Sequence, residues 1–288
     1  SEMCIRDSST EVIDRLRWIQ NDLGPAMKRA LQESGPISLK LIISRALAMG
    51  DEMHQRNVAA SSLLTRELAP YLANVVEDPA KRFKILSFLS TNDQFFLNLA
   101  MAAGKATMDP IRDIPHCSVV TAMSRNGTNF GIQVSALGDR WFQAPACMPV
   151  GLYFPGYSEV DANPDMGDSA ICETFGIGGF AMASSPAVVR FVGAGNISSA
   201  MKYSRDMMEI TVGENDAYVM PTMDFTGTGT GIDIRKVIET GILPVINTGM
   251  AHKKPGVGQV GAGVVKPPME CFEQALYALA EYEGVTEE

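Results

Sequence analysis

IRDIPHCSVVTAMSRNGTNFGIQV, residues 111–134, is where the pattern of the chain changes. Upstream, apolar residues recur at three- and four-residue spacing, as in VIDRLRWIQNDL (12–23), LKLIISRALAM (39–49), VAASSLLTRELAPYLANVV (58–76) and RFKILSFL (82–89). That is the spacing of one buried helix face. Downstream of Pro115 come short runs rich in β-branched residues, SVVTAMS, NFGIQVSAL, RWFQAP and EITVG, separated by Gly, Asn, Asp and Pro. These read as strands joined by turns.

The helical half breaks at Gly24-Pro25, Gly35-Pro36, Glu77-Asp78-Pro79 and Ser90-Thr91-Asn92-Asp93, the last a helix-start cluster for QFFLNLAMAAGKAT. Four to six helices are expected. In the second half, helical patterns return around 170–190, 197–208, 232–240 and 269–283 without regular βαβ alternation. The expected class is α+β, with a helical domain over 9–115 and a mixed α+β domain over 116–288. Residues 1–8, SEMCIRDS, resemble a translated sequencing adapter and are read as a non-native leader outside the fold.

With 288 residues and 46% hydrophobic content the chain can bury a large core. It contains no uninterrupted apolar run long enough to span a bilayer, which favours the cytoplasm and no membrane partner. A net charge of −9 leaves no basic stripe for a phosphate backbone, so nucleic acid is not an expected partner. Small-molecule chemistry or protein partners, including a homo-oligomer, fit better. The five cysteines are scattered, without a C-x-x-C pair, and are expected to be reduced and mostly buried.

Residues 159–173 pack Glu159, Asp161, Asp165, Asp168 and Glu173 into one segment. The calcium-loop pattern fails there: Met166 replaces the required Gly, Pro164 stiffens the interior and Glu173 falls one residue late. No metal site is expected, although a metal-dependent hydrolase built on this loop is one of the readings open to test. Asp168 or Ser169 is expected to cap a helix with the body AICETFGIGGFAMASS, leaving the earlier acids solvated or paired with cations. GVGQVG (256–261) matches a dinucleotide fingerprint literally but lacks the preceding strand and following helix. GTGTG (227–231) precedes a plausible helix and is a candidate anion loop. No cofactor is expected.

Three polar clusters invite a functional reading. His54, Arg56 and Asn57 in GDEMHQRN lie near a helix start, where they serve either a ligand or an interhelical capping network. Arg125, followed by Asn126-Gly127, ends a strand and offers a two-pronged anion fork; the alternative is a structural ion pair with an acid of the 159–173 loop. His252 and Lys253 adjoin a Gly-rich loop. His116 reads as loop filler.

The strings MHQRNVAASSLL, TNDQFFLNLAMAAGK, SVVTAMSRNGTNFGI, GDRWFQAP, GLYFPGYSEVDANPDMGDSAICETFGIGGFAMA, GIDIRKVIETGILPVINTGMAHK and GVGQVGAGVV together resemble the YahG/YlbE-like family of bacterial proteins. The resemblance runs from about residue 40 onward. It implies an orthogonal helical domain joined to an unusual α+β domain, and a longer N-terminal region than this chain has. It further implies a subunit of a carbamoyltransferase complex with an FdrA-like partner, which exchanges oxalurate and phosphate for oxamate and carbamoyl phosphate. Such chemistry needs cationic or N–H donors at a developing oxyanion and a base for an amide nitrogen. Arg125, His54 and His252 are the catalytic candidates. Arg56, Asn57, Asn92, Asp93, Asn126, Gly127, Lys253 and Asp168 are the candidates for substrate binding. The alternative from a different class is a noncatalytic assembly subunit.

Overall fold

A computed structural model describes residues 9–193 and 195–285, so the expectations for residues 1–8, Cys4 among them, lie outside the described residues. The helical half consists of α1 (Thr10–Trp18), α2 (Gly24–Ser34), α3 (Leu39–Ala48), α4 (Val58–Val75), α5 (Pro79–Thr91) and α6 (Phe95–Met108). Contrary to the sequence expectation, Gly24-Pro25 is not a break. A π-helical turn, Ile19–Leu23, carries α1 directly into α2, with Pro25 immediately after it. Asp78 behaves as its position suggests, with its Oδ1 accepting from the backbone N–H groups of Ala80 (2.8 Å) and Lys81 (3.2 Å).

Strands begin beyond Pro115: β1 (Val120–Asn126), β2 (Asn129–Val134), β3 (Phe142–Pro145), β4 (Val150–Tyr153) and β5 (Met166–Gly167). The short helices α7 (Ile171–Thr174) and α8 (Pro186–Phe191) and the longer α9 (Ile197–Glu209) follow. The chain then forms β6 (Thr211–Met220), β7 (Thr226–Ile232), α10 (Ile234–Thr240), β8 (Ile246–Ala251), β9 (Gln259–Val265) and α11 (Met269–Tyr282). The strands make three small antiparallel sheets, ordered β3-β2-β1-β5, β4-β9-β8 and β6-β7. The class is α+β, helices first and sheets after.

Helix α11 shows why its segment folds where it does. Cys271, Phe272, Ala275, Ala278 and Leu279 form one helical stripe, and that stripe shares an apolar cluster with Val120, Phe130, Ile132, Val134 and Phe142 of β1 to β3. A second cluster fills the helical half and takes in Cys172, Phe175, Ile177 and Ala181 from the segment around α7. The 170–185 segment is thus buried between helices and sheets.

Three expectations fail, two in that segment and one at 227–231. The helix expected over 170–185 is broken: α7 ends after four residues, Gly176 (φ 98°) and Gly178 (φ 64°) take left-handed conformations, and Gly178–Ser184 continues as a 3-10 helix. Neither Asp168 nor Ser169 caps α7 with its side chain. GTGTG is not an anion loop but most of strand β7. Its glycines are required by proximity, because a Cβ at Gly227 would meet the Asn215 backbone at 2.6 Å and one at Gly229 would meet Thr211 Oγ1 at 2.8 Å.

Gly179 is packed so closely that an added Cβ would collide with the Val245 carbonyl, which is backbone and cannot swing aside. Gly179→Ala is therefore expected to lower stability by about 1–3 kcal/mol in denaturant titration. An unchanged midpoint would show that this segment yields.

Candidate functional site

Between α3 and α4 the chain turns around a buried carboxylate. Glu52 Oε1 accepts from the backbone N–H groups of His54 (3.2 Å), Gln55 and Arg56 (2.7 Å), and its Oε2 accepts from Asn247 Nδ2 at 2.7 Å. The side chain thus satisfies three backbone donors of its own loop. Met53 sits at φ 62° inside this turn, and the Glu52 carbonyl accepts from Gly178 N at 2.6 Å. His54 is held facing the 165–173 segment as a result. Beside it, Asp51 Oδ2 accepts from Ala60 N at 2.9 Å in the first turn of α4, and Arg56 Nε lies 3.3 Å from Asp51 Oδ1. Burial pushes the Asp51 carboxyl up to about 6.

The acidic segment divides by function. Glu159 and Asp168 face solvent, and Asp161 closes a capping box with Ser158. Asp165 and Glu173 are buried. Arg125, at the end of β1, donates from Nε to Asp165 Oδ2 (2.7 Å), from Nη1 to Gly167 O (3.2 Å) and Ser169 Oγ (3.1 Å), and from Nη2 to Thr248 Oγ1 (3.2 Å). Thr248 Oγ1 in turn donates to Asp165 Oδ1 at 2.7 Å. The ion pair between Arg125 and an acid of this loop is present, and the same guanidinium reaches two hydroxyls. A buried arginine spread over a carboxylate, a carbonyl and two hydroxyls has its charge compensated and its plane fixed.

His54 joins the two networks. Its Nδ1 lies 2.7 Å from Glu173 Oε1 and its Nε2 lies 2.8 Å from Ser169 Oγ. Glu173 Oε1 also accepts from Gly179 N (3.0 Å) and Asn247 N (3.2 Å), while Oε2 takes no hydrogen bond among the described residues. Burial disfavours the imidazolium, but the Glu173 carboxylate and its hydrogen bond outweigh that, and the His54 pKa lies above its ordinary value. Over this group opens a cavity of about 110 Å³, lined by His54, Arg125, Ser169 and Thr248 on its polar floor and by Gln55, Gln94 and Gln259 among its walls. Three side-chain amides around a cation and an imidazole can read both donors and acceptors of a small polar acid.

Of the residues singled out from sequence, His54 and Arg125 meet in this cavity through Ser169. Asn57 and Asn92 support it indirectly: Asn57 Nδ2 donates to the His54 carbonyl (3.3 Å) and to Gln94 Oε1 (2.8 Å), and Asn92 Oδ1 accepts from Gln94 N (3.2 Å). The Asp93 carbonyl accepts from Ser61 Oγ at 2.9 Å. Asn126 and Gly127 build the β1–β2 turn, where Asn126 Oδ1 accepts from Thr128 N and Asn129 N. His252 is turned elsewhere: Nδ1 accepts from Lys254 N (2.8 Å), and the ring meets Tyr157 edge-on. Lys253 reaches the Val160 carbonyl, and Asp168 points outward. Neither His252 nor Lys253 lines the cavity, and nor do Arg56 or Asp168. Sequence reasoning missed Ser169, Glu52, Asn247 and Thr248 as site residues and took Asp165 and Glu173 only as members of an acidic loop. No local motif marks them, since His54 meets Ser169 and Glu173 across 115 and 119 positions.

Two outcomes follow from these contacts. Because the His54 pKa is raised in the fold, its stabilising contribution is fully present below the ordinary value of 6.5 and is lost as pH rises through the folded value. The stability difference between the unmodified protein and His54→Gln should therefore shrink from mildly acid to alkaline pH in parallel urea titrations; a difference that grows would reverse the assignment. Thr248→Val removes the hydroxyl between Asp165 and Arg125 at nearly constant volume. It should cost about 1–3 kcal/mol, measured by thermal unfolding.

A model of the family described as oxamate carbamoyltransferase subunit AllG matches residues 5–169. The chain is 53% identical over 277 residues to "Oxamate carbamoyltransferase subunit AllG" of Escherichia coli (strain K12), an alignment covering 96% of the chain and 66% of that protein. It is 45% identical over 274 residues to "Uncharacterized protein YahG" of the same organism, covering 95% of the chain and 58% of that protein. A crystal structure of a conserved protein of unknown function from Enterococcus faecalis V583 is similar at a TM-score of 0.93 and 46% identity, with 95% of this chain and 66% of that one covered. The chain thus spans 58 to 66% of the length of these relatives. Matched along more than half its length by the family model and along nearly all of it by these relatives, the chain belongs to the AllG family.

Proposed function

We propose that this chain supplies the carbamoyl-transfer site of a complex that acts on a small amide or ureido acid, exchanging oxalurate and phosphate for oxamate and carbamoyl phosphate beside an FdrA-like partner subunit. The observation that carries the proposal is the cavity in which Arg125 and His54 converge on Ser169, ringed by Gln55, Gln94 and Gln259. At about 110 Å³ it suits a molecule of a few heavy atoms, well below the pockets that take drug-sized ligands.

The chemistry matches these groups. Attack on a carbamoyl carbon places negative charge on its oxygen, and a buried guanidinium fixed by Asp165 stabilises that charge without having to reorganise. His54 moves the proton of the amide nitrogen, its ring orientation set by Glu173. The amide side chains in the wall bind the amide and carboxylate ends of oxamate.

The test is phosphate-dependent cleavage of oxalurate by the full-length protein copurified with its FdrA-like partner, with and without this subunit. Turnover is expected only with it; undiminished turnover in its absence would leave it the noncatalytic role of an assembly subunit. In the assembled complex, Arg125→Lys keeps a charge for Asp165 but loses the fork, and should lower turnover per folded protein about 100-fold.

A further inference from the structure

His54, Ser169 and Glu173 do more than line a polar cavity, because with the ring neutral the identity of their partners sets the direction of each proton between them. A carboxylate accepts and cannot donate, so Glu173 Oε1 takes the Nδ1 proton of His54 at 2.7 Å. In the neutral ring Nε2 is then the acceptor. A guanidinium donates and cannot accept, so the Ser169 oxygen receives Arg125 Nη1–H at 3.1 Å. The serine hydrogen is left to point at His54 Nε2, 2.8 Å away. Nucleophile, base and orienting carboxylate stand in the relation that activates a hydroxyl.

Several features around the group favour this use over a merely structural network. Ser169 and His54 both face the cavity, whereas Glu173 is fully enclosed behind the imidazole. Gly178 has a left-handed backbone, and a Cβ there would run into the Glu173 carboxylate and approach His54 Cβ at 3.2 Å. The chain therefore lacks a side chain at a position where one would displace imidazole and carboxylate together. The hydroxyl also touches Arg125, the cation best placed to meet an oxyanion formed on a carbon bonded to it.

We propose that Ser169 is the nucleophile of this site and carries the carbamoyl group as a covalent ester, with His54 as the general base and Glu173 positioning the imidazole. This deepens the carbamoyl-transfer reading and rests on it. Ser169 Oγ bonds to the ureido carbon of oxalurate while its proton passes to His54 Nε2. The carbon–nitrogen bond breaks, and the nitrogen leaves as oxamate with that proton. An oxygen of hydrogen phosphate then attacks the carbamoyl carbon, its proton passes to His54 Nε2, the ester bond breaks, and His54 returns that proton to Ser169 Oγ. Carbamoyl phosphate departs, and no oxidant or further reactant is consumed.

The full-length complex is mixed with oxalurate in the absence of phosphate, acid-quenched, and assayed for oxamate and for the mass of the peptide containing Ser169. The expected result is a burst of one oxamate per copy of this chain and one carbamoyl group on Ser169, discharged on adding phosphate. Ser169→Ala should abolish both burst and label, whereas Ser169→Cys, which keeps a nucleophile, should place the label on sulfur. Glu173→Gln should retain the labelled residue but slow the burst and alter its pH profile, an effect that a purely structural role would not produce at equal folded protein. Phosphate-dependent turnover without a burst, or a burst that survives in Ser169→Ala, would overturn the covalent step and leave the transfer reading intact. No cleavage with phosphate present would remove both.

Discussion

Glu173 is a carboxylate without access to water, and the arrangement of the site depends on how that charge is accommodated. An ionised carboxylate buried alone is prohibitively costly, so the fold must bring donors to it from wherever the chain can supply them. It does so from three directions: His54 from the loop between α3 and α4, Gly179 from the 3-10 turn, and the backbone of Asn247 from β8. These segments belong to the helical half, the interlayer segment and a sheet. The electrostatic requirement of one side chain thereby fixes their relative positions, and the cavity is the space left where they meet.

A second buried acid does the same for the opposite wall. Asp165 holds the Arg125 guanidinium and the Thr248 hydroxyl, and Ser169 lies between the two systems, touching Arg125 on one side and His54 on the other. Both carboxylates come from a segment of nine residues, Asp165 to Glu173, and their orientations differ because β5 turns into α7 within it. This economy explains why the acidic stretch looks like a metal loop in sequence. It concentrates negative charge, but the fold gives its two buried acids separate protein partners, a guanidinium for Asp165 and an imidazole for Glu173.

The change from helices to strands near Pro115 was legible because hydrophobic period depends only on local order, and α11 and α9 were visible for the same reason. Arg125 was legible through its place between a strand and an Asn-Gly turn. Other features were hidden for specific reasons. A serine before an apolar run looks like a helix cap, yet here the helix has Ala170 as its N-cap and Ser169 pairs with His54 instead. Alternating Gly and Thr looks like a loop because glycine weakens strands, yet in β7 the missing side chains allow a neighbouring backbone to approach. The pairing of His54 with Ser169 and Glu173 depends on tertiary contacts more than a hundred positions apart, and no spacing rule could expose it.

That long separation bears on how the molecule acquires this arrangement. Closing a loop of this length before any contact rewards it is entropically unfavourable, though each doubling of length adds only about 0.6 kcal/mol. His54 can form its local turn on Glu52 early, because the donors lie within four residues of the carboxylate. The imidazole acquires its orientation only when the strand carrying Asn247 and the segment carrying Glu173 are both docked against that turn. A chain with its helices formed and its sheets still open would hold His54 without Glu173 beside it and Ser169 without the imidazole. The hydrogen-bonded chain from Glu173 through His54 to Ser169 is thus a property of the completed fold and of no part of it alone.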